Sequence, residues 1–518
     1  MKHKILDVLG TLIRDTKAAT LPMMAVALIP ILLAVGGGID MARAYMVKAK
    51  LQEAVDSAAL AGRRAMVKEN IDSAKPDIDA FLAFNFPSGT YQTTPIRTTV
   101  TKPEVGTVRV EATTDMPTTI MAIFGYTKIP ITVYGEAKQN FDNIDIMLVL
   151  DTTGSMMDTL GSQRKIEALK EAVKTLYDQL ADAQVQLQQQ GLRLRFGIVP
   201  YAATVNVGKL LWTKDRNYIQ TSNVPYWHWK RTTRLLIFTE WNFGKQTYNL
   251  YNYANGSQLG NINGAGNNSS ARWSGCIEER LTTPTITATD GRTGPPMEAW
   301  DLDIDRIPDG NDDSKWKPYI FDPLNGSPNE YCPSEATPME EMSKSRISTL
   351  VDQLVAQGST YHDIGMIWGT RMLSSGGVFG SGNPTEWRQR SVQKFIIFMT
   401  DGQISAPRDW CGSRSCNSTS DHSSAYSAYG IEAYDQRIGA SSDTDNNARH
   451  NKRFLMACAE ARARKISVWT IAFGTGRVDT LDKCASNLDQ SSVADDSDEL
   501  IERFAEIGRN IGPLRISK

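Results

Sequence analysis

The run from Ile144 to Met156, Ile-Asp-Ile-Met-Leu-Val-Leu-Asp-Thr-Thr-Gly-Ser-Met, ends an apolar stretch in an acid and a knot of hydroxyls. Oxygen-bearing side chains fall at alternate positions, Asp151, Thr153 and Ser155, and a tight loop carrying Gly154 can turn all three toward one point. Such oxygens are the donors that a hard divalent cation takes, with water completing the coordination shell. By itself the fragment is equally an ordinary strand-to-helix turn, because Asp, Thr, Gly and Ser favour turns and helix N-caps. A metal reading therefore needs further ligands elsewhere in the chain.

The elements that must position them follow from periodicity. The apolar run reads as a buried strand. A helix follows over Lys165–Ala181, with Ile166, Leu169, Val173, Leu176 and Leu180 in one stripe. Then come a strand over Leu192–Pro200, a helix over Ser345–Gln357, a strand over Lys394–Met399, a helix over Arg453–Lys465, a strand over Ile466–Phe473 and a helix over Asp498–Ile511. Strands alternating with helices predict an α/β fold with a doubly wound, Rossmann-like parallel sheet, whose ligands bind outside the carboxyl ends of the strands. Asp151 falls at that edge. Two more stretches reach it: Phe395–Thr400 is a second apolar strand ending in Asp401, and Gly358–Gly365 is a loop opening a helix and carrying Thr360. Thr360 and Asp401 are the candidate fourth and fifth ligands.

These three stretches resemble the metal-ion-dependent adhesion site of von Willebrand factor A domains. That site is Asp-x-Ser-x-Ser, then a loop threonine, then an aspartate after a later strand. Asp151, Thr153, Ser155, Thr360 and Asp401 match in this order, with Thr153 in place of the first serine. The resemblance implies a divalent cation, magnesium first, with manganese and calcium as alternatives, and an open coordination position for an acidic group of a partner.

From Ala18 to Ile39 the chain carries no charged side chain and has the length of a bilayer-crossing helix. It is read as a membrane span rather than a cleaved signal, because the run is long, contains Pro22 and Pro30, and continues in a helical pattern. A cleavage of prepilin type after Gly10 fits less well, since Arg14, Asp15 and Lys17 interrupt the apolar segment. Lys2, Lys4, Arg14 and Lys17 place the amino terminus in the cytoplasm and everything after Asp40 outside. Beyond the span, Ala44, Val47, Leu51, Val55, Ala58 and Ala59 line one helix face, and alternating Thr, Val and Ile between residues 71 and 140 predict a small sheet packed on it. This anchor, with Gly36–Arg43 and Leu51–Gly62, is similar to TadE/TadG-like proteins of bacterial tight-adherence (Flp) pilus assembly, which join such a helix to an extracytoplasmic A domain. The resemblance covers residues 15 to 70, 141 to 205 and 337 to 515.

The expected organisation is a cytoplasmic tail (1–17), a transmembrane helix (18–39), a pilin-like helix plus small β domain, together α+β (40–140), and an A domain (141–518). The last carries insertions at about 206–336 and 405–446. The resemblance implies a single-pass protein of the bacterial inner membrane whose partners are pilus or envelope components or a surface ligand. A net charge of −2 over 518 residues argues against a broad nucleic-acid surface.

The six cysteines all lie in the second half of the chain, form no Cys-x-x-Cys pair, and give little support to a zinc site. Outside the cytoplasm, disulfides are expected: Cys411 with Cys416, Cys458 with Cys484, and Cys276 with Cys332. Seven of the eleven tryptophans, Trp212, Trp227, Trp229, Trp241, Trp273, Trp300 and Trp316, fall in the first insertion, so it is expected to fold, most of the rings forming its own small core and the rest offering a partner or glycan surface. The second insertion, rich in Ser, Asp and Tyr, is expected to be mobile. The acids Asp301, Asp303, Asp305, Asp309, Asp312 and Asp313 read as a solvated edge rather than a calcium loop, since Arg306 replaces the loop glycine.

The function indicated is binding without chemistry: a membrane-anchored adhesion or assembly module. A metal-assisted hydrolase would use the same carboxylates. It lacks a convincing base, because His362, beside Asp363 at a helix start, reads as a capping or packing residue. The third reading is a structural spacer in an envelope complex with an empty metal site.

Overall fold

Helix α1 (Thr20–Ala65) runs without a break from the charge-free segment into folded protein. In its first half large apolar side chains face outward all round, among them Met23, Met24, Val26, Ile29, Ile31 and Val35. After Asp40 one face is buried, with Val47, Leu51, Ala54, Val55 and Ala58 inaccessible to solvent. They pack on a three-stranded antiparallel sheet, β1 (Arg97–Thr101), β2 (Thr107–Pro117) and β3 (Lys128–Lys138), whose inward Val108, Val110, Ala112, Ile131 and Val133 alternate with outward residues. The short helix α2 (Lys75–Asn85) adds Ile78 and Leu82 to the same core. A Cβ on Gly135 of β3 would lie 2.5 Å from Asp56 Oδ1 and 3.3 Å from Asp56 Cα, so a larger residue there would crowd α1. Among the described residues α1 is the one helix long and apolar enough to cross a membrane.

The structure is a computed structural model and describes residues 20–66, 70–103, 107–138, 142–234, 238–260, 269–320, 332–408 and 426–511. These form two compact units, the helix-and-sheet unit up to Lys138 and a larger one from Asp142 to Ile511.

The larger unit is a mixed α/β structure. Its central strands are β4 (Asn143–Asp151), β5 (Leu194–Tyr201), β6 (Thr337–Glu340), β7 (Arg390–Thr400), β8 (Ile466–Phe473) and β9 (Ser491–Ala494). They lie in the order β6-β5-β4-β7-β8-β9, all parallel except the edge strand β6, which runs antiparallel to β5. Every residue of β4 is buried, because both sheet faces are covered, which is why the run reads as continuously apolar. Ile146, Leu148 and Leu150 point to α3 (Lys165–Gln189), α4 (Lys344–Asp352) and α7 (Ser497–Ile511). Met147 and Val149 point to α5 (His362–Leu373) and α6 (Asp443–Ala463). Helix α5 is buried along its whole length and sits tight on the sheet: a Cβ at Gly365 would lie 2.6 Å from the Tyr201 ring, and one at Gly369 2.3 Å from Val149 Cγ2.

Several expectations change. Strand β6 is four residues long and contains Pro338, too weak a signal to read, yet it closes the sheet edge. Helix α6 starts at Asp443 rather than near Arg453, with Ser442 as its N-cap accepting from Asp445 N at 3.2 Å. Among the described residues, the tryptophans of the first insertion join cores shared with the rest of the unit instead of forming one of their own, Trp227 packing on a small cluster of Cys276, Tyr319, Tyr426 and Ile431. Trp273 and Trp316 belong to the core on the α5 face of the sheet, and the Trp316 ring centroid is 5.3 Å from that of Trp368 on α5. The side chains of Trp229 and Trp241 lie outside the described residues.

The acidic stretch is no solvated edge at its start. Asp301 is fully buried, ion-paired with Arg453 and accepting from Tyr429 Oη at 2.9 Å, while Asp305 holds Arg464 at 2.9 Å. Glu279 collects the indole N–H groups of Trp368 (2.5 Å) and Trp316 (3.1 Å) together with Arg371 (3.2 Å). The insertion is thus fastened to α5 and α6 by buried ionic contacts as well as apolar packing. Of the second insertion, residues 426–440 are packed rather than mobile: Ala428, Tyr429 and Ile438 are core residues, and Glu432 accepts from the backbone N–H groups of Ile438, Gly439 and Ala440. Disulfides join Cys276 to Cys332 and Cys458 to Cys484. Cys411 and Cys416 lie outside the described residues.

Candidate metal centre

The strand order reverses between β4 and β7: the chain leaves β4 to build one side of the sheet and returns at β7 to build the other. The crevice at the carboxyl ends of two such strands is where open parallel sheets bind ligands. Asp151 is the last residue of β4, and Asp401 directly follows β7.

Four of the five predicted side chains meet there in one hydrogen-bonded group. Ser155 Oγ donates to Asp401 Oδ1 at 2.7 Å and lies 3.2 Å from Thr153 Oγ1. Thr153 N donates to Asp151 Oδ1 at 2.9 Å, and Thr400 Oγ1 donates to Asp151 Oδ2 at 2.7 Å. Thr360 is held beside them by its backbone: Gly154 N donates to Gly358 O at 2.9 Å, and Thr360 exchanges two 3.0 Å hydrogen bonds with Ser405. Its hydroxyl is not part of the hydrogen-bonded group. Asp151, Thr153 and Asp401 are buried, whereas Gly154 and Gln403 are exposed and Ser155 half-buried, so the site opens to solvent on one side.

Lys165, Thr400 and Tyr201, to which the sequence assigned no role, complete the surroundings together with His362, which packs as expected. Lys165, the first residue of α3, places Nζ 2.9 Å from Asp401 Oδ2. Thr400 bridges the centre to His362, whose Nε2 is 3.0 Å from its hydroxyl, and Tyr201 Oη is 3.4 Å from Asp151 Oδ2. His362 is enclosed by the rings of Tyr201, Phe398 and Phe454, and burial pushes its pKa down to about 3, keeping the imidazole neutral. A threonine before Asp401 and a lysine at a helix start carry no local signal of these roles.

Electrostatics favour a cation. Burial, reinforced by the nearby Asp401 carboxylate, pushes the Asp151 carboxyl up to about 7, and no basic side chain among the described residues pairs with it. Lys165 offsets the charge of Asp401 only. The two carboxylates and the Thr153 and Ser155 hydroxyls bring together oxygen donors of the kind a hard divalent ion takes. Among the described residues no group of three or more His, Cys, Asp and Glu side chains converges on a point, so a cation site here depends on the hydroxyls.

Residues 18–66 match the family described as putative Flp pilus-assembly TadE/G-like. The match lies on the amino-terminal helix and does not extend to the α/β unit. No curated protein matches the chain. Among solved structures, the chain is similar to the pilus adhesin SpaC of Lactobacillus rhamnosus GG, at 14% identity and a TM-score of 0.32, covering 80% of this chain and 34% of that one. It is also similar to the vWF domain of the type V pili tip protein Mfa5 of Porphyromonas gingivalis, at 9% identity and a TM-score of 0.31, covering 73% and 98%. A third is the PilB minor pilin of Streptococcus sanguinis, at 11% identity and a TM-score of 0.32, covering 82% and 78%. The chain thus spans about a third of the length of the adhesin.

Proposed function

We propose that this protein is a membrane-anchored, extracytoplasmic binding and assembly protein of a tight-adherence (Flp) pilus system, and not an enzyme. Its α/β unit acts as a doubly wound von Willebrand factor A domain. The amino-terminal match to a pilus-assembly family supports the setting. The observation that carries the site is the 2.7 Å hydrogen bond between Ser155 and Asp401, which joins the loop after β4 to the end of β7 and gathers carboxylates otherwise 250 positions apart in sequence (151 and 401).

In this reading Asp151, Thr153, Ser155, Thr360 and Asp401 hold a divalent cation, magnesium first. Bound there, the ion would supply positive charge and a coordination position for an acidic group of a pilus or envelope partner. The chain's own residues do the rest. Thr400 and Tyr201 orient Asp151, Lys165 orients Asp401, and the Gly154–Gly358 contact holds the two loops together at the open side. The helix α1 fixes the unit to the inner membrane, with the amino terminus in the cytoplasm.

Crosslinking pull-downs from cells expressing the full chain, with and without chelator, test this. Partner capture that is lost on chelation, and lost in Asp151→Ala and Thr360→Ala while the fold persists, is the expected result. Capture indifferent to chelator and to both substitutions would reject it.

A further inference from the structure

We infer that the hairpin loop between β2 and β3, residues 118–127, is a second membrane contact that seats its apolar tip in the lipid interface beside α1. This rests on the reading of residues 18–39 as a membrane span.

The loop is clamped to the point where α1 stops being apolar. Asp40 is fully buried, and its carboxylate accepts three backbone N–H groups of the loop, from Thr119 at 3.0 Å, Ile120 at 3.0 Å and Met121 at 2.9 Å. Arg43 lies 3.8 Å from the same carboxylate and hydrogen-bonds the Thr119 hydroxyl. The first acid after the apolar run is therefore occupied in holding the loop instead of facing solvent. From this clamp the loop reaches back along the helix, toward its amino terminus. A Cβ on Gly36 would lie 2.3 Å from Ile120 Cγ2, and one on Gly37 3.8 Å from Met121 Sδ, so the glycines are where the loop beds against α1. Gly36 precedes Asp40 by four residues, so the Ile120 side chain, whose backbone is tied to Asp40, reaches back about 6 Å along the charge-free segment, at 1.5 Å of rise per residue.

The surface fits lipid. Met121–Phe124 form one tight helical turn, closed by Gly125 N donating to Ala122 O and Tyr126 N to Met121 O, both at 3.1 Å. Its backbone polar groups are thereby partly satisfied internally, as a lipid-facing segment requires. Ile123 is 79% exposed and Tyr126 65% exposed, which leaves an aliphatic and an aromatic side chain at the tip of the hairpin. Ile39, Met41 and Tyr45 of α1, within five residues of Asp40, are exposed too, so the outward apolar surface of the span extends to the level of the clamp. Tyrosines at its border suit the headgroup level. Two attachments, one spanning and one interfacial, would restrain tilt and rotation of α1 about the membrane normal.

The test uses the full-length chain in nanodiscs of phosphatidylethanolamine and phosphatidylglycerol. A photoreactive p-benzoylphenylalanine replaces Ile123, or Ile29 in the apolar helix, or the exposed Phe84 of α2, and lipid adducts are read by mass spectrometry. All three side chains are about half-exposed or more, so the fold tolerates the changes. The expected result is lipid labelling at 29 and at 123, each several-fold above that at 84. Labelling at 29 without labelling at 123 overturns the loop contact and leaves the anchor standing. Protein adducts instead of lipid adducts at 123, or labelling at 84 equal to that at 123, overturn it as well. No labelling at 29 overturns the anchor and the inference together.

Discussion

Lys165 and Ser155 share Asp401 between them: the ammonium is 2.9 Å from Oδ2 and the hydroxyl 2.7 Å from Oδ1. One carboxylate of the proposed centre thus already carries a resident cation, and the other, Asp151, carries none. The ammonium satisfies Asp401 and at the same time repels any divalent ion bound beside it.

The Lys165→Met substitution separates these effects. Removing one positive charge a few ångströms from the site is expected to tighten divalent-ion binding about tenfold, equivalent to about 1.4 kcal/mol. In chelator the same variant is expected to unfold more easily than the parent, because a buried carboxylate loses its partner. Calorimetric titration and thermal melts with and without metal read the two. Weaker metal binding in the variant would show that Lys165 supports the ion instead of competing with it.

Acidity provides a second test. The Asp151 carboxyl, 3.8 in its ordinary state, is pushed up to about 7 by burial and by Asp401. Between those values the folded protein holds a proton that the unfolded chain has released, so the metal-free protein is expected to lose stability as pH rises through that window. A bound cation requires the ionised carboxylate, so metal affinity is expected to rise over the same range. Melting temperatures from pH 5 to 8 in chelator and in magnesium should diverge as pH increases. Asp151→Asn should remove the divergence.

How much of this was readable beforehand depended on whether a residue's partner lay nearby in sequence. Asp151 and Asp401 stood out because each ends an apolar run, a signal carried within a few residues. Lys165 did not, because its partner is 236 residues away and a lysine at a helix start looks like any other. Asp301 gives no such signal for the same reason: acids in a row suggest solvent, and nothing local announces Arg453, 152 residues later, as the partner that buries the first of them. The early start of α6 was readable in principle, since Ser442 followed by Asp445 is an N-cap pattern, but the polar turns that follow carry no apolar stripe.

The clamp around Glu279 yields a stability prediction. All eleven tryptophans fall between residues 212 and 469, within the sequence span of the larger unit, so tryptophan fluorescence during urea unfolding reports on that unit. Glu279→Ala strands Arg371 and two indole N–H groups in a buried site and is expected to cost about 3–5 kcal/mol. A loss below 1 kcal/mol would mean that water replaces the carboxylate, contrary to the packing described.

The seat of α5 on the sheet gives another. A methyl group added at Gly369 would lie 2.3 Å from Val149 Cγ2, so Gly369→Ala must push the helix away from β4. The expected cost is about 1–3 kcal/mol. Because the Thr360 loop leads directly into α5, weaker metal binding should accompany it, measurable in the same titrations.

The central claim is that five oxygen-bearing residues form one cation site. Its most direct test is titration of Mn²⁺ into the full-length chain in nanodiscs, with bound ion counted by electron paramagnetic resonance. The account predicts one saturable site per chain, displaced by Mg²⁺ and lost in both Asp151→Ala and Asp401→Ala. Absence of binding, or binding that survives both substitutions, would contradict it.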